Sequence, residues 1–283
     1  MNNQKTIKVF IGSGEASLLE RKVAIYSLQK HTQRQLDIYV FNGTHNAIEL
    51  NDQEPFLAPL SLKLKYHNIT EFSLYRFLIP QICNYQGKAI WIDSDTVCLA
   101  DIAEIFDTSL NGCDFLAKAE AYNTRSSNLW GLSVMLIDCK QTRFDLETYF
   151  NEIAQGLYTY TDFSCMSPAF LAHHPLKIGQ LDPQWNVFDY CDEQTKLIHY
   201  TNLNTQPWKY PHHPYGELWF EYFEEARKAG YITERDIEFS LVRAYVRPDI
   251  LQGNAPIHHR QFLRQTLKLA KNALRKLVPM RLA

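Results

Sequence analysis

The chain has 283 residues, 46% hydrophobic and 21% charged, which excludes a disordered protein and allows one large buried core. A formal net charge of −2 argues against a partner held through phosphate contacts along nucleic acid. No apolar run approaches the roughly 18 residues that cross a bilayer, and the first residues do not read as a signal peptide.

The 6 cysteines never adopt CxxC spacing, and Cys83, Cys98 and Cys139 sit in or beside apolar runs. That usage fits small hydrophobes in a reducing compartment rather than a zinc site, and a cytosolic location is expected. The charge is unevenly spread. Residues 258–283 carry seven Lys or Arg and no acid, which leaves 22 basic against 31 acidic residues in the body.

In chain order, residues 7–11 (IKVFI) read as a short apolar strand that stops at Gly12-Ser13-Gly14. Ser17 with Glu20 predicts a capping box for a helix running to about His31. Residues 36–41 (LDIYVF) give the next strand, at the spacing of a strand–helix–strand unit. A helix is expected over 73–83, kinked or ended by Pro80. Residues 88–92 (KAIWI) read as a buried parallel strand ending abruptly at Asp93-Ser94-Asp95. A further buried strand over 132–137, a helix over 144–154, a short strand over 196–200 carrying His199 and an amphipathic helix over 215–228 complete the pattern. Together these predict an α/β fold with a mostly parallel sheet and flanking helices. Loops 118–131 and 201–216 are polar and aromatic and flank core strands, where ligand contacts concentrate.

Two carboxylates one residue apart at the end of an apolar strand are costly unless something compensates them. A divalent cation does so, because Mg²⁺ and Mn²⁺ prefer oxygen ligands and Asp93 and Asp95 can both approach one ion. A solvated turn is the other reading of Asp-Ser-Asp.

Residues 72–80 (FSLYRFLIP), 87–95 (GKAIWIDSD) and 99–102 (LADI), followed by residues 199–208 (HYTNLNTQPW), together resemble family 8 glycosyltransferases. The resemblance covers roughly residues 7–210. It implies a GT-A fold, a Mn²⁺ (or Mg²⁺) ion, a nucleotide-diphosphate sugar donor, usually UDP-linked, and hexosyl transfer with retention. By the same resemblance Asp93, Asp95 and His199 bind the metal, and Asp93 and Ser94 lie near the donor. Ile11, Gly12 and Ser13 form the nucleotide-contacting turn, and Arg76 is a donor-facing cation suited to phosphate or sugar oxygens.

The sequence also departs from the family. The family lysine before Pro-Trp is Gln206, next to Trp208, and Lys209 is the nearest candidate to replace its contact with the diphosphate. The family's NAGV segment aligns with Gly131-Leu132-Ser133-Val134, and its DQD segment with Asp162-Phe163-Ser164. Retention needs either an enzyme nucleophile, for which Asp162 is nominated, or same-face attack by the acceptor. Asn186, after Trp185, aligns with a segment near the family's active site and is nominated with Asp162.

Residues 1–257 are expected to form the catalytic domain. Within 258–283, Leu263, Leu267, Ala270, Leu274 and Leu277 alternate steps of four and three, with Arg264, Lys268, Lys271 and Arg275 one position on. A basic amphipathic helix is expected, lying either on an anionic membrane surface or on the acidic body. The acceptor is then a glycan or glycolipid in envelope polysaccharide or lipopolysaccharide assembly at the cytoplasmic face. Two other readings stay open: a haloacid-dehalogenase-type phosphatase with Asp93 as nucleophile, and a non-catalytic binding relative.

Overall fold

The computed structural model describes residues 6–51, 53–57, 70–120 and 129–253. Eleven strands form two sheets among these residues: β1 (Ile7–Ser13), β2 (Leu36–Asn42), β3 (Ala47–Leu50), β4 (Phe56–Leu57), β5 (Lys88–Asp93), β6 (Thr96–Cys98), β7 (Phe115–Glu120), β8 (Leu129–Asp138), β9 (Ile178–Gln180), β10 (Val187–Phe188) and β11 (Leu197–His199). The large sheet runs β4-β3-β2-β1-β5-β8-β7-β9, and the small one β10-β11-β6. The helices are α1 (Leu18–His31), α2 (Ile79–Ile82), α3 (Ala103–Asp107), α4 (Leu146–Ala154), α5 (Tyr160–Ser164), α6 (Pro168–His173), α7 (Gly216–Lys228) and α8 (Glu234–Val242).

Central strands are apolar on both faces because both are covered. Side chains alternate across a strand, so Phe10 and Trp91 enter one core with Phe41, Phe115 and the aromatics of α4–α6. Their neighbours Val9, Ile11, Ile90 and Ile92 enter the opposite core, with Ile25 and Leu28 of α1. A third core lies where β6 and β11 meet α7 and α8, around Trp208, Trp219 and Phe223. The expected α/β class holds. The sheet is mixed: β1 is parallel to β2 and β5, whereas β8 runs antiparallel to β5 and β7.

Several local expectations change. Ser17 stands at the start of α1 but makes no side-chain cap to the backbone; its hydroxyl partners Glu20, which turns inward and is 6% exposed. Pro80 does not kink one long helix: a 3-10 turn over Tyr75–Leu78 precedes it and Pro80 opens α2, where a missing N–H costs nothing. The basic stretch 258–283, and most of loop 118–131, lie outside the described residues. Among the described residues no helix is long and apolar enough to cross a membrane.

Candidate active site

The carboxyl end of β5 delivers the acidic pair. Ser94 N–H donates to Gly12 O (3.1 Å) and Thr96 Oγ1 to Asp93 O (3.0 Å), so the Asp-Ser-Asp turn is tied to β1 and closed on itself. The chain then enters β6, which pairs antiparallel with β11 so that His199 lies opposite Thr96. Tyr200 N–H donates to Asp95 O (2.9 Å). Residues about a hundred positions apart are thus fixed side by side by a two-strand ladder. One ligand atom from each of Asp93, Asp95 and His199 lies within 4.8 Å of the others.

His199 is held at both ring nitrogens. Nδ1 donates to Asn186 Oδ1 (3.1 Å), and Nε2 lies 2.9 Å from Asp95 Oδ1. With Nδ1 occupied, a neutral ring turns its Nε2 lone pair towards the carboxylates, the orientation a metal-binding imidazole needs. Burial alone would lower the pKa of His199. The charge and hydrogen bond of Asp95, with the charges of Asp93 and Asp189, outweigh it and raise His199 above its ordinary value. Burial raises Asp93 despite the opposing pull of Arg76 and His199. Two crowded carboxylates beside an imidazole concentrate negative charge that Arg76 meets only at Asp93, and two oxygens plus a nitrogen form a donor set suited to a divalent cation.

Arg76 sits at the same end. Its guanidinium donates to Leu132 O and, from Nε, to Ser73 O (2.7 Å), packs 5.0 Å from the Trp91 ring centre and lies 3.5 Å from Asp93 Oδ1. The turn at Ile11, Gly12 and Ser13 is covered: a Cβ on Gly12 would meet Phe72 and Trp91 side chains at 2.5 Å, and Ile11 and Ser13 are fully buried. Glycine is required there by the protein's own aromatics, a correction to the expectation that it opens the backbone to a nucleotide.

Five other nominations move. The Asp162 carboxylate accepts from Thr159 N–H (2.9 Å), Thr159 Oγ1 (2.6 Å) and Ser167 Oγ (2.7 Å) as the cap of α5, and it does not line the cavity at the site. Asn186 is fully buried between Ser133 Oγ (3.0 Å from its Nδ2) and His199, so it orients the histidine rather than facing a substrate. Trp208 is 1% exposed against Trp219 and Tyr200, a core side chain. Gln206 is 3% exposed, and its Nε2 donates to Asp95 Oδ2 (3.3 Å) and Tyr200 O (3.0 Å). Lys209 is exposed and does not line the cavity.

The cavity, about 520 Å³, is lined by Asp93, Asp95, His199 and Arg76 together with Glu120, Trp130, Tyr160 and Phe188, and the Phe188 ring lies edge-on to His199 with ring centres 5.5 Å apart. Sequence reasoning missed Glu120, Trp130, Tyr160 and Phe188. Only the aromatic character of loop 118–131 hinted at them. It also missed Asp189, whose carboxylate accepts from Thr201 Oγ1 (2.6 Å) and Asn202 N–H (3.1 Å) and pins the start of the loop after His199.

The sequence pattern of Glycosyl transferase family 8 matches residues 9–211. A curated relative, Protein CDI of Arabidopsis thaliana, is 24% identical over 174 residues, 56% of this chain and 66% of that protein. Among solved structures, the galactosyltransferase LgtC in complex with donor and acceptor sugar analogs superposes with a TM-score of 0.58 at 12% identity, covering 77% of this chain and 96% of LgtC. The bifunctional glycosyltransferase WbbM gives 0.56 at 16% identity over 84% of this chain, which spans 52% of WbbM. GlyE of Streptococcus pneumoniae TIGR4 gives 0.54 at 16% identity, over 78% of this chain and 60% of GlyE. The fold is that of the GT-A glycosyltransferases.

Proposed function

We propose that this chain, which belongs to glycosyl transferase family 8, moves a hexose from a UDP-linked sugar to a glycan or glycolipid acceptor, with Mn²⁺ bound by Asp93, Asp95 and His199. The convergence of those three side chains in the wall of one large cavity is the observation that carries this reading. Two carboxylates suit Mn²⁺ or Mg²⁺, and the imidazole tilts the set towards Mn²⁺. A bound ion would supply Lewis-acid stabilisation of the departing diphosphate.

The chain's own residues do the rest. Asp95 is held by Gln206 and His199, and His199 by Asn186, so the donor set is ordered before a ligand arrives. Arg76, locked over Trp91 by Ser73 O and Leu132 O, holds a fixed positive charge beside Asp93. Trp130, Tyr160 and Phe188 give the cavity a largely aromatic wall, which offers water few hydrogen-bond partners. With Asp162 committed to a helix cap, retention through same-face attack is the route these residues support. The bond from the anomeric carbon to the diphosphate then breaks on the side where the bond to the acceptor oxygen forms, and the acceptor's hydroxyl proton passes to the departing diphosphate oxygen.

The test is nucleotide release from a panel of UDP-, GDP- and CMP-sugars with and without Mn²⁺. Turnover should need the ion and fall on the order of a thousandfold in Asp95→Ala, the scale of losing a principal charge-stabilising group. Turnover by the variant at the wild-type rate would sink the reading. The basic sequence 258–283 supports a position at the cytoplasmic face of an anionic membrane. Liposome flotation with and without those residues checks it, equal binding counting against.

A further inference from the structure

Among the described residues Lys118 is a half-buried cation that forms no ion pair. Burial pulls its pKa down against the charge of Glu120, with which it makes no hydrogen bond. Such a placement is costly unless the ammonium finds another partner. Its Nζ donates to Asn186 O (2.7 Å) and lies 4.3 Å from the Phe188 ring centre.

A break in the sheet lies beside it. β7 and β8 pair Ala117 with Met135 but Lys118 with Gly131, so Leu132, Ser133 and Val134 stand opposite no residue of β7. Bulges re-aim side chains and are common next to functional sites. Here the bulged residues present Leu132 O to the Arg76 guanidinium and Ser133 Oγ to Asn186 Nδ2 (3.0 Å). Asn186 is thus held by Lys118 at its carbonyl, by Ser133 at its amide nitrogen and by Pro183 O at its own N–H (3.2 Å). Its amide oxygen is left to meet His199 Nδ1 (3.1 Å). Lys118 does not line the cavity, so it reaches the metal ligands only through its neighbours.

A positive charge near a cation site has two effects of opposite sign. By Coulomb's law it repels a bound divalent ion, so its removal should tighten binding. As the anchor of Asn186 it helps to order His199, so its removal should loosen binding. The first effect acts across the intervening Asn186 and is weakened by screening, whereas the second runs through an unbroken chain of hydrogen bonds. The second should win.

Resting on the metal-binding part of the reading above, we propose that Lys118 is a positioning residue for the metal centre, which fixes the Asn186 turn so that its amide oxygen orients His199.

Calorimetric titration of Mn²⁺ into the full chain tests this. Lys118→Met keeps the stem over Phe188 and removes only the ammonium. It should weaken Mn²⁺ about fivefold, less than the loss of a direct partner of the histidine. Added to Asn186→Ala, the same substitution should change nothing further, because the group it acts through is gone. A merely structural lysine would give an equal loss in both backgrounds. Should Lys118→Met not fold, Ser133→Ala removes the other side-chain brace of Asn186 and should act in the same way. Solvent exchange of the His199 Nδ1 proton, followed by NMR of the metal-free chain, should also speed up several-fold in the variant. Unchanged or tighter Mn²⁺ binding, a full further loss on top of Asn186→Ala, or an unchanged exchange rate would overturn the proposal. A wild type that binds no Mn²⁺ would count against the metal reading, and the exchange rate at His199 would still decide this one. Mn²⁺ binding without nucleotide release from any donor would count against the transfer reaction alone.

Discussion

Two parts of the cavity are built differently. At the metal end each ligand is braced by a neighbour: Asp93 accepts from Trp91 Nε1 (2.9 Å), Asp95 meets Gln206, and His199 is fixed by Asn186. Elsewhere in the wall Glu120 and Trp130 rise from adjacent strands, on opposite faces of the β7–β8 hairpin, and line the cavity with few polar restraints. The first arrangement holds charge in a set geometry. The second leaves surfaces with room to adapt. Chemistry that must be repeated at every turnover needs pre-ordered groups, whereas partner choice tolerates a looser wall.

The sharpest way to break this contrast is at Asn186. It does not line the cavity described above, yet its amide oxygen is the fixed partner of His199 Nδ1. Asn186→Ala should weaken Mn²⁺ binding, followed by calorimetric titration, on the order of 10- to 100-fold, the usual cost of losing such an orienting partner. Mn²⁺ affinity equal to that of the wild type would show that the metal end is no more braced than the rest of the wall.

The metal end was largely legible in the sequence because its residues are short-range and costly. Asp93 and Asp95 interrupt an apolar strand, and strand alternation places the hydrophobic neighbours of Trp91 correctly on two faces. The rest of the cavity wall was not legible. Glu120, Tyr160 and Phe188 come from three separate segments, and only tertiary packing places them around one space. Local signals also misled where burial overrode them. Ser17 and Glu20 have the spacing of a capping box, but Glu20 faces the core, where burial first, and then the charge of Asp95, pushes its carboxyl up to about 7. Asp162 occupies the family's acidic segment, but three local donors keep it as a helix cap.

Gln206 gives the smallest effect and bears most closely on how the metal end is ordered. Where the family resemblance leads one to expect a lysine facing the diphosphate, this chain has a side chain that is 3% exposed and turned towards Asp95 and Tyr200 O. It braces the Asp95 carboxylate and does not line the cavity. A hydrogen bond of 3.3 Å to a carboxylate is a modest restraint. Gln206→Ala should weaken Mn²⁺ about three- to tenfold, the scale of one such bond. At saturating Mn²⁺ the donor KM should return to the wild-type value, because no direct donor contact has been removed. A donor KM that stays raised at saturating metal would mean that Gln206 reaches the diphosphate after all, and the division between a braced metal end and an adaptable wall would have to be redrawn to include the loop after His199.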